Sequence, residues 1–404
     1  MIMPNYMEKL LEGGRVEWKA LGDVTLPTSN IRWRDTKGTY RYIDLTSVSR
    51  EKNTIIETTE ISAENAPSRA KKLVVKNDVI FATTRPTQQR LCMITEEFSG
   101  EVASTGYCIL RAKKDEVLPK WIYHCITSSD FKNYVEENQS GSAYPAISDA
   151  KVKEFKIPTP PLKVQEEIVR ILDAFTDLTA ELISELTARK KQYTYYRDKL
   201  LTFEDGEVEW KVLGEVAKIF DSLHQTPRYS DHGLSMIRVT DIKGGFLNLE
   251  DTLKVSDEVF SIFTKKYLPQ KYDLVMSRVG SYGNVSIVPS DSAVCMGQNT
   301  VVIHPLVNGK YLYYILLSND VQSFIERNVG GGSQKTLSLK SIKEIPIPIV
   351  NETEQARIVS LLDKFDALAS SITEGLPREI ELRQKQYEYY RNMLLSFPKE
   401  EVEE

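Results

Sequence analysis

Cysteine is scarce: Cys92, Cys108, Cys125 and Cys295 are the only 4 among 404 residues, with neither CxxC spacing nor a paired framework. That excludes a disulfide scaffold and predicts reduced, buried thiols in a cytoplasmic protein. No run of 18 apolar residues occurs, so no helix is expected to span a membrane. The start, MIMPNYMEKLLEGG, lacks the basic-then-apolar pattern of a secretion signal. Histidine is equally sparse, and His124, His224, His232 and His304 show no metal-ligand spacing and no Ser/Asp partners. The phosphate-binding pattern GxxxxGK(S/T) is missing, so nothing assigns ATP to this chain. Gly280-Ser281-Tyr282-Gly283 and Gly330-Gly331-Gly332 do not sit in a strand–GxGxxG–helix unit. The only Pro-Pro pair, Pro160-Pro161, lies in TPPL, outside the Asn/Asp-Pro-Pro-aromatic signature of amino-methylating enzymes. No catalytic constellation emerges. The chain reads as a non-enzymatic binder that directs another protein's chemistry.

The net charge of −5 argues at first against a nucleic-acid partner, but its distribution does not. Residues 25–161 carry 20 Lys+Arg against 17 Asp+Glu, and residues 217–346 carry 14 against 12. Mildly basic globular halves alternate with acidic helices and ends, and that asymmetry says more about partners than the total does.

What the chain does have is a long helix and a repeat. In Leu162–Phe203 the large side chains Ile168, Leu172, Phe175, Leu178, Leu182, Leu186, Tyr193, Tyr196 and Leu200 step by threes and fours, with Arg189 filling one gap. A helix of about 40 residues is a rod of roughly 60 Å, and so narrow a stripe calls for a partner helix. Ile358, Leu362, Phe365, Leu368, Ile372, Leu376, Ile380, Tyr387, Tyr390 and Leu394 supply it. QEEIVRILDAFTDL (165–178) recurs as QARIVSLLDKFDAL (355–368), and EGGRVEWKALGDV (12–24) as EDGEVEWKVLGEV (204–216). ARKKQYTYYRDKLLTF (188–203) recurs as LRQKQYEYYRNMLLSF (382–397). Asn5–Leu11 resembles Tyr195–Leu201, and the tail 393–404 resembles 199–210, which predicts a circular, pseudo-two-fold chain with its ends close together. Gly375-Leu376-Pro377 should kink or split the distal helix.

The expected fold is α+β: two α/β modules separated by two long antiparallel coiled-coil helices. The expected boundaries are 1–156, 157–203, 204–346 and 347–404. Strands are predicted near Tyr40–Leu45, Leu73–Ala82, Leu91–Thr95 and Gly106–Ala112, then Ser235–Val239, Leu274–Ser277, Val285–Val288 and Thr300–His304. Single helices are expected at Pro119–Asn138 and about Lys310–Asn328.

In each half a strand runs into a loop whose scaffold recurs and whose tip differs: Asn77–Arg90 in the first, Tyr272–Asn284 in the second. Arg85, Gln88, Gln89 and Arg90 are types that bond bidentately to guanine or adenine edges. Arg278, Ser281 and Tyr282 sit in the second loop, whose glycines allow backbone to approach phosphates. An ordinary solvated loop is the alternative for either one alone. Glycine-rich segments before the long helices add Tyr144 in the first half and Ser333, Gln334 and Lys335 in the second; a hinge is as good a reading of them. The repeated tyrosines could stack on bases, but their helical spacing favours an interhelix or subunit seam. Tyr193, Tyr196, Arg197, Tyr387, Tyr390 and Arg391 are the candidates for it.

Two varied α/β modules, two repeated long helices and a circular repeat resemble the specificity subunit of type I restriction–modification enzymes. GEVEWKVLGE (206–215), EIVRILDAFTDLTAEL (167–182) and SITEGLPREIELRQKQYEYYR (371–391) are similar to the type IC branch. The resemblance implies a subunit without an active site, in which each module reads one half of a split, asymmetric site in double-stranded DNA. It further implies two methyltransferase subunits that methylate adenine and two restriction/translocase subunits. S-adenosylmethionine, ATP and Mg would belong to those partners, with no cofactor in this chain. The segment TAELISELTAR (179–189) would act as a ruler, four inserted residues lengthening it by about 6 Å. The rivals are a freestanding DNA-binding adaptor or regulator, and a coiled-coil scaffold without nucleic acid.

Overall fold

A computed structural model describes residues 9–11, 14–50, 52–204, 206, 208–332, 335–370 and 375–398. It divides into two compact units, Met1–Glu181 with Glu381–Glu404, and Leu182–Ile380. The first unit therefore takes in both ends of the chain.

The first unit runs β1 (Glu17–Ala20), β2 (Thr25–Leu26), β3 (Tyr40–Ile43), β4 (Thr59–Ile61), β5 (Ala70–Leu73), β6 (Val79–Ala82), β7 (Leu91–Met93), β8 (Val102–Ser104) and β9 (Tyr107–Ala112). Helices α1 (Pro119–Ile126), α2 (Ser129–Asn138) and α3 (Asp149–Glu154) follow, then β10 (Lys156–Thr159) and the start of α4 (Leu162–Leu201). One sheet has the order β2-β9-β6-β7, a second β4-β3-β8-β5 with β3 and β8 parallel. Strand β6, VIFA, is buried along its whole length because both faces are covered. Val79 and Phe81 join the core that includes Trp121 and Ile168, whereas Ile80 and Ala82 join a second core with Ile43 and Tyr107.

The second unit repeats the plan with β11 (Glu209–Val212), α5 (Leu213–Val216), β12 (Ala217–Asp221), β13 (Leu234–Ile237), β14 (Leu253–Val255) and α6 (Asp257–Phe263). Strands β15 (Leu274–Ser277), β16 (Val285–Ile287), β17 (Val294–Met296) and β18 (Thr300–Pro305) precede α7 (Gly309–Leu317) and α8 (Asn319–Arg327). The hairpin β19 (Val329–Gly330)–β20 (Thr336–Leu337), α9 (Leu339–Lys343), β21 (Pro346–Ile349) and α10 (Glu352–Ser370) complete it; α11 (Leu376–Leu394) ends in the first unit. Its main sheet, β12-β18-β15-β16, has the strand order of β2-β9-β6-β7. The strands that open each repeat pair with the proline-bearing ones: Trp18 faces Pro158, and Trp210 faces Pro348.

Three expectations change in detail. The helix predicted over Pro119–Asn138 is two helices, because Ser128 leaves helical dihedrals and its hydroxyl oxygen caps the N–H of Phe131 at 3.3 Å. Ser318 divides the second pair in the same way. The strand predicted over Leu73–Ala82 breaks into β5 and β6, since Asn77 takes a left-handed φ of 70° and the Asp78 carboxylate turns the chain by accepting from Val75 N. The boundary placed at 156/157 falls inside β10, and the one at 346/347 inside β21.

The long helix predicted from the stripe is present as α4. Its first half meets α11 in the first unit, where Phe175 stacks on Tyr390 at 5.4 Å between ring centroids. Its second half meets α10 in the second unit, where Tyr196 stacks on Phe365 at 5.6 Å, so partners run in reverse chain order. The pairing is antiparallel. The distal helix is split at the expected Gly-Leu-Pro, α10 ending at Ser370 and α11 beginning at Leu376. The resemblance assigned to Asn5–Leu11 falls largely outside the described residues, as does most of the tail beyond Pro398.

Candidate DNA interface

In each unit the central strand of the main sheet delivers the chain into a loop that lies beside a second loop from after the helix pair. In the first unit Thr84 bridges Ala146, and Arg85 N donates to Pro145 O at 2.7 Å. In the second, Val279 bridges Thr336, and Leu337 N donates to Arg278 O at 2.8 Å. Two segments that sequence treats as separate candidates thus form one platform per unit.

The first platform brings Arg85 and Tyr144 together. Both are exposed, Tyr144 at 73%, and the Arg85 guanidinium lies 5.4 Å from the Tyr144 ring centroid. Buried Pro86 opens a single 3-10 turn, Pro86–Gln88, that anchors the loop from beneath. Gln88 and Gln89 are half-buried on it. Arg90 is used differently: its Nη1 donates to the carbonyls of Leu45 at 2.9 Å and Val48 at 3.0 Å. It braces the platform from within.

The second platform exposes Ser281 and Lys335, with Tyr282 partly buried against the core beneath. The Ser277 hydroxyl donates to the Ser281 carbonyl and closes the loop. Lys335 directly precedes β20 of the β19–β20 hairpin, and Ser333 and Gln334 lie outside the described residues. Arg278 is not the counterpart of Arg85. Its Nη1 pairs with Asp221 at 2.8 Å and its Nε donates to Leu337 O at 3.0 Å, so it ties the hairpin to the sheet. Residue type alone made the two arginines look alike; register separates them.

The six seam candidates pack against neighbouring elements of the chain, Tyr196 remaining 38% exposed. Tyr196 and Tyr390 are the stacked pairs described above. Tyr387 meets buried His124 at 3.1 Å, and burial pushes the hydroxyl of half-buried Tyr193 up. Arg197 and Arg391 are nine-tenths buried. The tyrosines that face outward are Tyr195, exposed at 60%, and Tyr389, at 66%. Their offset from the apolar stripe was the signal for that exposure. Leu178, within the stripe, is also open to solvent at 37%.

All four cysteines are buried, and desolvation pushes the Cys92, Cys108 and Cys295 thiols up to about 12. Among the described residues no cluster of three or more His, Cys, Asp or Glu could hold a metal ion. Likewise, no described helix is long and apolar enough to cross a membrane.

Residues 17–189 and 207–382 match the type I restriction modification DNA specificity domain, one copy in each half. The chain belongs to the type I restriction–modification specificity family. A type I restriction enzyme specificity subunit of Escherichia coli is 33% identical over 416 residues, covering 98% of both chains. A putative type I specificity subunit of Haemophilus influenzae is 31% identical over 408 residues, covering 97% of this chain and 98% of its own. Among solved structures, a chain of a type I restriction–modification system superposes with a TM-score of 0.64 at 22% identity, covering 95% of this chain and 98% of its own. The type I specificity subunit of M. genitalium gives 0.52 at 16%, with 95% and 97% covered. Those superpositions establish the shared fold. The α+β architecture of a type I specificity subunit, with paired modules on long helices, is therefore that of this chain.

Proposed function

We propose that the chain reads a split, asymmetric site in double-stranded DNA, one half per unit, and directs adenine methylation and restriction by partner subunits. One observation carries this reading: two platforms share a backbone scaffold while their side chains differ, Arg85, Gln88, Gln89 and Tyr144 against Ser281, Tyr282 and Lys335. A fixed frame with different tips suits two unlike half-sites, because sequence is read by side chains on base edges while the frame sets position on the backbone. Two methyltransferase subunits and two restriction/translocase subunits complete the complex, and S-adenosylmethionine, ATP and Mg are bound there. The specificity subunit contributes recognition and no bond-making chemistry, and it works in the cytoplasm.

The test is co-expression with the methyltransferase encoded beside it, followed by methylation-aware sequencing of host DNA. Methyladenine in one split motif is the expected result. A stable complex with no modified motif would leave a DNA-reading adaptor for other chemistry, and no complex would leave a coiled-coil scaffold.

A further inference from the structure

The two platforms can be aligned residue by residue through their hydrogen bonds. Ala82 N donates to Arg90 O in the first unit, as Ser277 N does to Asn284 O in the second. Thr84 bridges Ala146 as Val279 bridges Thr336. These anchors equate Arg85 with Gly280 at the loop's start, and Gln89 with Gly283 at its end.

Both stations are left-handed in both units. Arg85 and Gln89 each have φ 50°, Gly280 has 73° and Gly283 has 78°. Glycine adopts that region freely, whereas an L side chain is strained there. At Gly283 an added Cβ would also come within 3.1 Å of Ile325, but at Gly280 nothing lies within 4 Å, so backbone conformation alone explains glycine there. The first unit places two long polar side chains where the fold calls for glycine. Neither repays the strain within the chain. The Arg85 guanidinium meets the Tyr144 ring, and Gln89 Nε2 reaches only the Pro86 carbonyl, at 3.4 Å. Strain retained without internal return points to an external ligand.

Resting on the DNA-reading function proposed above, we infer that Arg85 and Gln89 are the specificity-determining side chains of the first unit. Arg85 donates bidentately to guanine O6 and N7, and Gln89 pairs with the N6–N7 edge of adenine, in the major groove. Tyr144 positions the Arg85 fork. The second unit has no side chain at either station. Its glycines bring the backbone close to DNA, and its base contacts come from Tyr282 and Lys335.

The experiment is methylation-aware sequencing of host DNA carrying the full complex, with wild-type chain, Arg85→Gly, Gln89→Gly and Arg85→Lys, alongside thermal midpoints of each purified chain. Arg85→Gly should relax one guanine at least tenfold in one half-site only, leave the other half unchanged, and hold or raise the midpoint. Gln89→Gly should do the same at one adenine. Arg85→Lys should not restore the guanine, since it keeps the charge and loses the fork. The inference is overturned if the glycine variants write the wild-type motif, if both halves relax together, or if Arg85→Lys restores the motif, which would mark a phosphate contact. A wild-type complex that writes no split motif would instead overturn the DNA-reading function itself, and this inference with it.

Discussion

Asn392→Asp should stabilise the first unit, and the structure gives the size of the effect. Arg391 is 8% exposed, its Nε has no acceptor among the described residues, and its guanidinium lies 5.1 Å from the Tyr387 ring centroid. Its counterpart in the repeat, Arg197, donates to Asp198 from Nε at 3.0 Å and Nη2 at 2.8 Å. The following residue is Asp198 in one copy and Asn392 in the other, and both side chains accept from the first N–H of a helix. Asp198 takes it from Asn319 N at 3.2 Å, Asn392 from Ser129 N at 3.3 Å. A carboxylate at 392 keeps that acceptor and gives Arg391 charge-assisted hydrogen bonds worth about 1.5–3 kcal/mol. A negative charge at the start of α2 adds about 0.3–1 kcal/mol. Against this, the bond from Asn392 Nδ2 to the Ser129 hydroxyl at 2.8 Å is lost, at about 0.5–1.5 kcal/mol. The net is about 0.3–3.5 kcal/mol, centred near 2, at roughly 2–4 °C per kcal/mol for a unit of this size. Calorimetry of the purified chain should show the first unit's transition moving up while the second's stays in place. An unchanged or lower midpoint would refute the reasoning.

Three further outcomes are expected. Burial, opposed by the bond to Asp173, holds His124 below the ordinary histidine pKa, so the folded chain resists a proton the unfolded chain accepts. Stability should therefore be full above about pH 6.5 and fall as pH drops below it; His124→Tyr, copying the Tyr314–Asp363 bond at 2.7 Å, should flatten that part of a denaturation-versus-pH series. Arg90→Ala should cost about 1–3 kcal/mol in chemical denaturation by removing its bonds to the Leu45 and Val48 carbonyls, and Arg278→Ala about 1–3 kcal/mol by removing those to Leu337 O and Asp221, which keeps His224 at 3.2 Å. Replacing Tyr195 and Tyr389 with Ser should change stability by under about 0.5 kcal/mol each, yet weaken capture of the methyltransferase in gel filtration; full capture would place the partner elsewhere.

Periodicity carried most of the architecture, because α4 and the buried central strands obey simple patterns that only packing can reward. The helix pairs were misjudged for a local reason: Ser128 and Ser318 cap a new helix within an apolar pattern that continues straight through them. Short strands such as β4, β14 and β17 were invisible, three residues being too few to show an alternation. At the platforms, composition picks out loops that the fold sets side by side, but not what each side chain does within them. Whether an arginine points outward, as Arg85 does, or braces a hairpin, as Arg278 does, depends on a one- or two-residue register that only the cross-strand hydrogen bonds reveal. The tyrosines expected at a seam do pack between helices, while in each Tyr-Tyr pair the neighbouring ring, Tyr195 or Tyr389, is the more exposed.

Because the first unit is assembled from both ends of the chain, its completion must wait for the last part to be made. Leu394, Leu395 and Phe397 are buried in the same core as Trp121 and Ile168, and the Trp18 indole N–H donates to the Pro398 carbonyl at 3.1 Å. Glu181 and Glu381 are separated by the whole of the second unit. At about 5–20 residues per second, a ribosome takes roughly 10–40 s to cross that interval. During it the nascent first unit holds an open seam in the core that Leu394, Leu395 and Phe397 later fill, and the second unit has its full sequence before that seam can close. A ribosome that stalls late in α11 would release a product with one finished half and one unsealed.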